Sequence, residues 1–384
     1  MIYRPMGKSG VQVSALSMGG GHLPDDPEAC DALLRACVDA GINYFETATV
    51  YCNGQCQQKI GRGLEPVRSK AMISAKRGIL LDGEQPGCPE TTPDEYRREI
   101  LDVQLPNLRT DHVEWLQVGW FTANKIDVLR KKGGVLDAIH RMISEKIVGH
   151  VGFTSHDTPE NVIKIIESGM FESCTLQYNL LNRSYEPCLA AAREHGVAVV
   201  VMGPLAGGML GRPELALRDI VSEAIQTSRA GLNFVLANPA VSTACSGMTT
   251  MAQLAENLAS ISSAPGAAMW EEVRAIFQRF NAIGKTLCTG CNYCRPCPSG
   301  VDISRNLRLR NYYAIYAGEG KTTAATSASV SAAATASAAA RRAYAAIPPD
   351  QRAGECNQCG ACEAKCPNKL PVRDLLTETA KALG

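Results

Sequence analysis

The chain is predicted to be α/β, a (β/α)8 TIM barrel followed by a small, cysteine-rich α-helical domain. Three observations predict it. Over roughly 250 residues, short β-branched runs alternate eight times with amphipathic helical stretches, as such a barrel requires. No G-x-G-x-x-G follows the first strand-like run, so the fingerprint of the rival doubly wound sheet is missing. And of 16 cysteines, half fall in two short runs beyond the barrel.

Taken in order, Ser14 to Met18 is the first strand-like run and ends in the triple glycine Gly19 to Gly21. Pro27 to Ala40 carries apolar residues at helical spacing, and Ile42 to Phe45 reads as the next strand. Further strands are expected at Ala71 to Ala75, Val113 to Val118, His150 to Thr154, Thr175 to Tyr178, Val197 to Met202 and Val241 to Cys245. Helices are expected at Tyr96 to Leu105, Val135 to Glu145, Pro159 to Glu167, Tyr185 to Glu194 and Met251 to Ile261. In a barrel of this kind the functional side chains sit where strands end. That rule selects Gly19, Glu46, Lys76, Gly119, Ser155, Gln177, Met202 and Ser246.

The barrel is expected to occupy residues 1–265 and the second domain 266–384. Within the latter, Trp270 to Ala282, Ser304 to Ala317 and Leu370 to Leu383 read as helices. An Ala/Ser-rich segment, 321–345, has a composition that suits either a flexible linker or a helix.

The two cysteine runs carry the clearest chemistry. CTGCNYCRPCP holds Cys288, Cys291, Cys294 and Cys297 before Pro298, and CNQCGACEAKCP holds Cys356, Cys359, Cys362 and Cys366 before Pro367. The second matches the C-x2-C-x2-C-x3-C-P arrangement of bacterial ferredoxins, in which the fourth cysteine of a run ligates the other cluster. Crossed ligation of two [4Fe-4S] clusters follows as the expectation: Cys288, Cys291, Cys294 and Cys366 on one, Cys356, Cys359, Cys362 and Cys297 on the other. Structural zinc would leave a surplus thiol in each run. Disulfides would need an oxidising compartment, whereas nothing at the amino terminus reads as a secretory signal, so a cytoplasmic, reducing setting is expected. The remaining cysteines are scattered, and ones such as Cys37 and Cys188 read as small core residues.

A net charge of +1 favours neither a nucleic-acid nor a membrane-surface partner. No apolar run approaches the roughly 18 residues that span a bilayer. The expected partners are a small-molecule substrate and a redox protein.

INYFETATVY followed by NGQCQQKIGRGL resembles the signature of the aldo-keto reductases, with a strand-end carboxylate followed five residues later by a tyrosine and then a helix. MISAK at Met72 to Lys76 is similar to that family's lysine strand, GPLAGGML at Gly203 to Leu210 to its pyrophosphate-covering loop, and SGMTTMAQLAEN at Ser246 to Asn257 to its adenosine segment. The resemblance covers about Met1 to Ser263. RKKGGVLDAI at Arg130 to Ile139 and the cysteine runs resemble the ferredoxin-tailed branch.

That resemblance implies hydride transfer between NAD(P)H and a carbonyl carbon, with Tyr51 giving the oxygen a proton. A phenol near pKa 10 is a poor acid at neutral pH, so an ammonium must ease its ionisation. Lys76 matches the family's lysine for this, and Glu46 stands where the family has aspartate. The family's histidine is replaced: WLQVGW puts Gly119 there, with Trp120 after it. Either an unusual substrate fills that space, with His156 or water replacing the ring, or carbonyl reduction has been abandoned while the nucleotide site is kept. The resemblance further assigns the cofactor to Gly19, Gly20, Ser155, His156, Gln177, Met202, Gly203, Pro204, Leu205, Gly247, Gln253, Glu256 and Asn257. No Lys or Arg lies within Ser246 to Asn257 to meet a 2′-phosphate, which leaves NADH and NADPH equally open.

Nicotinamide gives electrons in pairs and a cubane takes them singly, so a direct handover needs a flavin or a radical-tolerant substrate between them. No flavin motif is present. Three classes of function therefore stand: an NAD(P)H-dependent oxidoreductase with structural or relaying clusters, an electron-transfer protein whose barrel docks a partner, and a redox sensor.

Overall fold

The structure, a computed structural model, describes residues 1–84, 89–211, 227–261, 286–288, 290, 292–317, 338–366 and 368–384. The chain divides into two compact units. One joins Met1–Asn179, Arg183–Pro204 and Leu232–Ala264; the other joins Leu180–Asn182, Leu205–Gly231 and Pro265–Gly384.

The first unit begins with an antiparallel hairpin, β1 (Tyr3–Pro5) and β2 (Gln12–Ser14), which the sequence reading did not anticipate. The barrel strands follow: β3 (Leu16–Gly19), β4 (Tyr44–Glu46), β5 (Met72–Gly78), β6 (Val113–Gly119), β7 (Val148–Thr154), β8 (Ser173–Gln177), β9 (Ala198–Met202) and β10 (Val241–Ser246). They close in sequence order, each parallel to its neighbours, with β10 returning to β3. Between and after them run α1 (Pro27–Asp39), α2 (Cys56–Leu64), α3 (Pro93–Glu99), α4 (Leu105–Leu108), α5 (Ile126–Arg130), α6 (Val135–Ser144), α7 (Pro159–Glu167), α8 (Glu186–His195), α9 (Thr227–Ala237) and α10 (Met251–Ile261).

Local chemistry explains these boundaries. Asp26 caps α1 by accepting from Ala29 N at 2.8 Å, with Pro27 in the first turn. Thr92 and Glu95 form a reciprocal capping box at α3. β9 reads AVVVM because parallel strands are covered on both faces, and Val199, Val200 and Val201 are all fully buried. Met6 and Val13 from the hairpin pack in one cluster with Tyr44 and Ala198, the first residues of β4 and β9. The hairpin thus plugs the end of the barrel where strands begin and leaves the opposite end for chemistry.

Two expectations shift. β5 continues to Gly78, so Lys76 stands two residues inside the strand. The helix expected over Tyr96 to Leu105 is interrupted by a π turn at Ile100–Gln104 before α4. Pro106 explains it, since proline has no N–H to return to the carbonyl four residues back.

In the second unit α11 (Ile303–Ala317) lies against α13 (Val372–Leu383), with the short α12 (Ala361–Lys365) between them in sequence. Leu307, Leu375, Leu376 and Leu383 are buried, and Arg310 pairs with Glu378 at 2.8 Å. Of the Ala/Ser-rich segment, residues 338–345 are helical. The helix expected over Trp270 to Ala282 and residues 321–337 lie outside the described residues. Among the described residues no helix is long and apolar enough to cross a membrane.

Candidate active site

Three side chains, from the end of β4, the turn after it and the last residues of β5, meet at the open mouth. Glu46 ends β4, in register with Gly19 of β3 and Ser74 of β5. The chain then turns through Tyr51–Gly54, with left-handed φ of 51° at Cys52 and 55° at Asn53, and this turn aims Tyr51 back at the barrel. Lys76 Nζ donates to Tyr51 Oη at 2.6 Å and lies 4.6 Å from its ring centre. Tyr51 Oη in turn donates to Glu46 Oε1 at 3.1 Å, and the Glu46 carboxylate touches the Lys76 ammonium directly. Burial pushes Lys76 down to about 7, and the nearby Cys245 acts the other way. The carboxylate in contact favours the protonated lysine against that burial.

The lysine is held from behind by a residue the sequence reading missed. Gln104, buried on the π turn, donates to Lys76 O at 3.1 Å and to Glu99 Oε1 at 3.2 Å, and accepts from Gln57 Nε2 at 2.9 Å. Helical periodicity carries no signal for it, because the π turn itself rotates Gln104 inward.

Gly119 closes β6, and a Cβ there would meet Gly78 N at 3.4 Å, an ordinary contact. Trp120 follows with φ of 53°, uncommon for a bulky residue. Thr154 fixes this turn by accepting from Trp120 N through Oγ1 at 3.0 Å and from Phe121 N through its carbonyl at 2.8 Å. Trp120 is 43% exposed, and its ring centre lies 5.3 Å from that of His156. Burial, and then the Lys76 charge, push His156 down to about 4, so its imidazole is neutral at physiological pH. Ser155 is fully buried and donates to Phe121 O at 2.7 Å while accepting from Asp157 N at 3.1 Å. Gln177 ends β8, buried, and Met202 ends β9, half-buried.

Gly19 lies against Gly247, whose N is 3.5 Å from a Cβ built on Gly19. Gly20 admits no side chain, since a Cβ would fall 2.5 Å from Glu46 O and 2.7 Å from Cys56 Sγ. Gly203, at φ of 62°, and Pro204 belong to the barrel unit, and Leu205 to the other. Ser246 accepts from Asn257 Nδ2 at 3.0 Å, and Gln253 Oε1 accepts from Thr249 N at 2.7 Å ahead of α10. Glu256 is half-buried on the same helix.

In the second unit Cys288, Cys362 and Cys366 are buried, and Cys359 is exposed. Cys294, Cys297 and Cys356 are half-buried, and Cys291 and Pro367 lie outside the described residues. Asn311 brackets Cys288, accepting from its N at 3.2 Å and donating to its O at 2.8 Å. Gly290 N points at Cys288 Sγ at 3.4 Å. Burial raises the Cys362 thiol, and Cys356 and Cys297 lie close enough to raise it further. Among the described residues no three potential ligands already converge at metal-binding distance.

The sequence model of the aldo/keto reductase family matches residues 15–277, and that of a 4Fe-4S dicluster domain matches 285–370. An uncharacterised oxidoreductase, YqkF, of Bacillus subtilis is 24% identical over 285 residues, covering 67% of this chain and 90% of that protein. L-galactose dehydrogenase of Arabidopsis thaliana is 23% identical over 297 residues, 70% of this chain and 91% of that protein. The holo form of the aldo-keto reductase AKR11C1 from Bacillus halodurans superposes with a TM-score of 0.62 at 25% identity, covering 73% of this chain and 96% of that one. A closed eight-stranded parallel barrel whose mouth gathers Tyr51, Lys76 and Glu46, in a chain that this model matches over most of its length, is the fold of an oxidoreductase, and the chain belongs to the aldo/keto reductase family, extended by a 4Fe-4S dicluster domain.

Proposed function

We propose that the protein is an NAD(P)H-dependent oxidoreductase that interconverts a small carbonyl compound and its alcohol, with Tyr51 moving the proton at the substrate oxygen. The observation that carries this reading is the 2.6 Å contact from Lys76 Nζ to Tyr51 Oη, beside the buried Glu46 carboxylate. The ammonium favours the phenolate left when Tyr51 gives up its proton, and Glu46 keeps Lys76 charged and aimed. In the reverse direction the same phenolate takes the proton from an alcohol.

The residues at the mouth suit a nicotinamide coenzyme. Ser155 and Gln177 present polar groups for a carboxamide, the Met202 thioether can cover a ring face, and Gly19, Gly20 and Gly247 keep the floor clear of side chains. When bound, the reduced coenzyme supplies the hydride. Neutral His156 and the Trp120 ring border the place that Gly119 leaves without an imidazole, and they would orient the substrate there.

The second unit would hold two [4Fe-4S] clusters, Cys288, Cys291, Cys294 and Cys366 on one and Cys356, Cys359, Cys362 and Cys297 on the other. The spacing of the second run, in which the fourth cysteine precedes a proline, supports this crossed set. Such clusters supply single-electron steps, so they serve either the fold of the tail or exchange with a redox partner protein.

The test is a nicotinamide titration of anaerobically prepared protein, with turnover measured on a panel of small aldehydes and ketones. Tyr51→Phe is expected to bind coenzyme normally and lose turnover by on the order of 100-fold or more. Unchanged turnover in Tyr51→Phe would remove the proposed proton donor, and absence of coenzyme binding would remove the reading altogether.

A further inference from the structure

The turn that carries Tyr51 also carries two thiols four residues apart. Cys52 and Cys56 both direct their sulfurs at one oxygen: Cys52 Sγ lies 3.3 Å and Cys56 Sγ 3.2 Å from Gly20 O. Cys56 opens α2 and is fully buried, held additionally by Thr47 Oγ1 at 3.0 Å. Cys52 is half-buried on a turn whose next three residues, Asn53, Gly54 and Gln55, are exposed. One sulfur is therefore reachable by a small molecule and the other waits behind it, the arrangement of an attacking and a resolving thiol.

We propose that Cys52 and Cys56 form a redox-active dithiol whose conversion to a disulfide draws the turn onto α2 and takes Tyr51 out of register with Lys76. Of the two neighbouring thiols Cys52 is the one held low and Cys56 the one raised, so Cys52 is the first to lose its proton. Cys56 rises correspondingly and keeps its proton until the second step. With a small-molecule disulfide as oxidant, the Cys52 thiolate attacks one sulfur and expels the other half as thiolate, giving a mixed disulfide. Cys56 then loses its proton and attacks Cys52 Sγ, expelling the second half. Two protein thiols lose two electrons, and one disulfide becomes two thiols. Bond formation withdraws both sulfurs as donors to Gly20 O, loosening the end of β3 just where Gly20 abuts Glu46 O.

Only the effect on turnover rests on the carbonyl-reductase reading; the disulfide is read by mass and stands apart from it. Anaerobic full-length protein with its clusters in place is equilibrated with glutathione disulfide and glutathione at increasing ratios. Free thiols are then blocked by alkylation and peptides weighed. Cys52 and Cys56 are expected to leave as one internal disulfide, two hydrogens lighter, while the buried Cys37 and Cys174 stay reduced. Recovery of both alkylated at the most oxidising ratio overturns the proposal, as does Cys52 stalled as a glutathione adduct. In Cys56→Ser the adduct at Cys52 is the expected end point, and its absence also counts against the pair. Turnover of the oxidised wild type should fall on the order of 100-fold, as for a catalytic group displaced by about 1 Å, and return on reduction. An internal disulfide that leaves turnover unchanged refutes the link to Tyr51.

Discussion

Glu46→Gln tests the centre of the proposed mechanism. The carboxylate touches the Lys76 ammonium and accepts from Tyr51 Oη at 3.1 Å, so one substitution weakens two charge-assisted contacts while keeping the shape. Each such bond contributes roughly 1.5–3 kcal/mol. Loss of one in the transition state alone lowers kcat/KM by about 10- to 150-fold. The pH profile gives a sharper reading. Burial already lowers Lys76 to about 7, and the protonated lysine is the active form, so activity is lost as pH rises through the lysine pKa. A neutral amide no longer opposes burial, the lysine pKa falls further, and the alkaline limb of kcat/KM moves to lower pH. A partner charge in contact is worth at least one unit, or about 1.4 kcal/mol. The assay is kcat/KM across pH 5 to 9 for wild type, Glu46→Gln and Glu46→Asp. An alkaline limb that stays in place in Glu46→Gln refutes the role given to Lys76, whatever happens to the rate.

Other outcomes follow from the same geometry. His156, pushed down to about 4, is neutral throughout the working range, so His156→Gln should leave the limbs of the profile between pH 5 and 8 unmoved while changing KM; a lost limb would make His156 a titrating catalyst. Gln104→Leu leaves Gln57 without its buried acceptor and frees Lys76 O, at a cost of about 1–3 kcal/mol in denaturant unfolding, and a change within about 0.5 kcal/mol would contradict it. Gly152→Ala puts a Cβ 2.1 Å from Ser173 Oγ and 2.7 Å from Ser173 O and should destabilise by about 1–3 kcal/mol. Gly119→Ala meets only ordinary contacts and should stay within about 0.5 kcal/mol of wild type. For the clusters, Cys297→Ser and Cys359→Ser should each remove one cluster by iron and sulfide count. Combined they should remove no more, whereas Cys297→Ser with Cys288→Ser should remove both. Loss of both in the first pair would exclude crossed ligation.

Legibility in the sequence followed how local each feature's cause is. Barrel strands such as β9 are legible because burial on both faces writes an unbroken apolar run. Glu46 and Lys76 are legible as mouth residues because a strand end is a local event, whereas Tyr51, on the turn beyond, is reached only through the family resemblance. The hairpin was not, since β1 and β2 span three residues each and become strands only by plugging the barrel floor through Met6 and Val13. Gln104 was hidden because a π turn breaks the helical period that would have placed it outside. Cys52 and Cys56 read as scattered small residues, and only the left-handed turn at Cys52 and Asn53 brings both sulfurs to Gly20 O.

That same turn bears on the replaced histidine. In the proposed chemistry an imidazole at position 119 would orient the substrate oxygen and share its proton, and glycine does neither. Aspartate at position 46 would end one methylene short of where Glu46 ends, and it is this extra reach that accompanies direct contact with Tyr51 Oη as well as with Lys76. In the proposed chemistry this carboxylate holds Tyr51 Oη and Lys76 Nζ together rather than supplying a proton of its own. In the same proposed chemistry the orienting role would fall to Trp120, held at positive φ by Thr154, and to the neighbouring neutral His156. Glu46→Asp should accordingly cost more in this protein than the shorter carboxylate costs a relative that keeps its histidine.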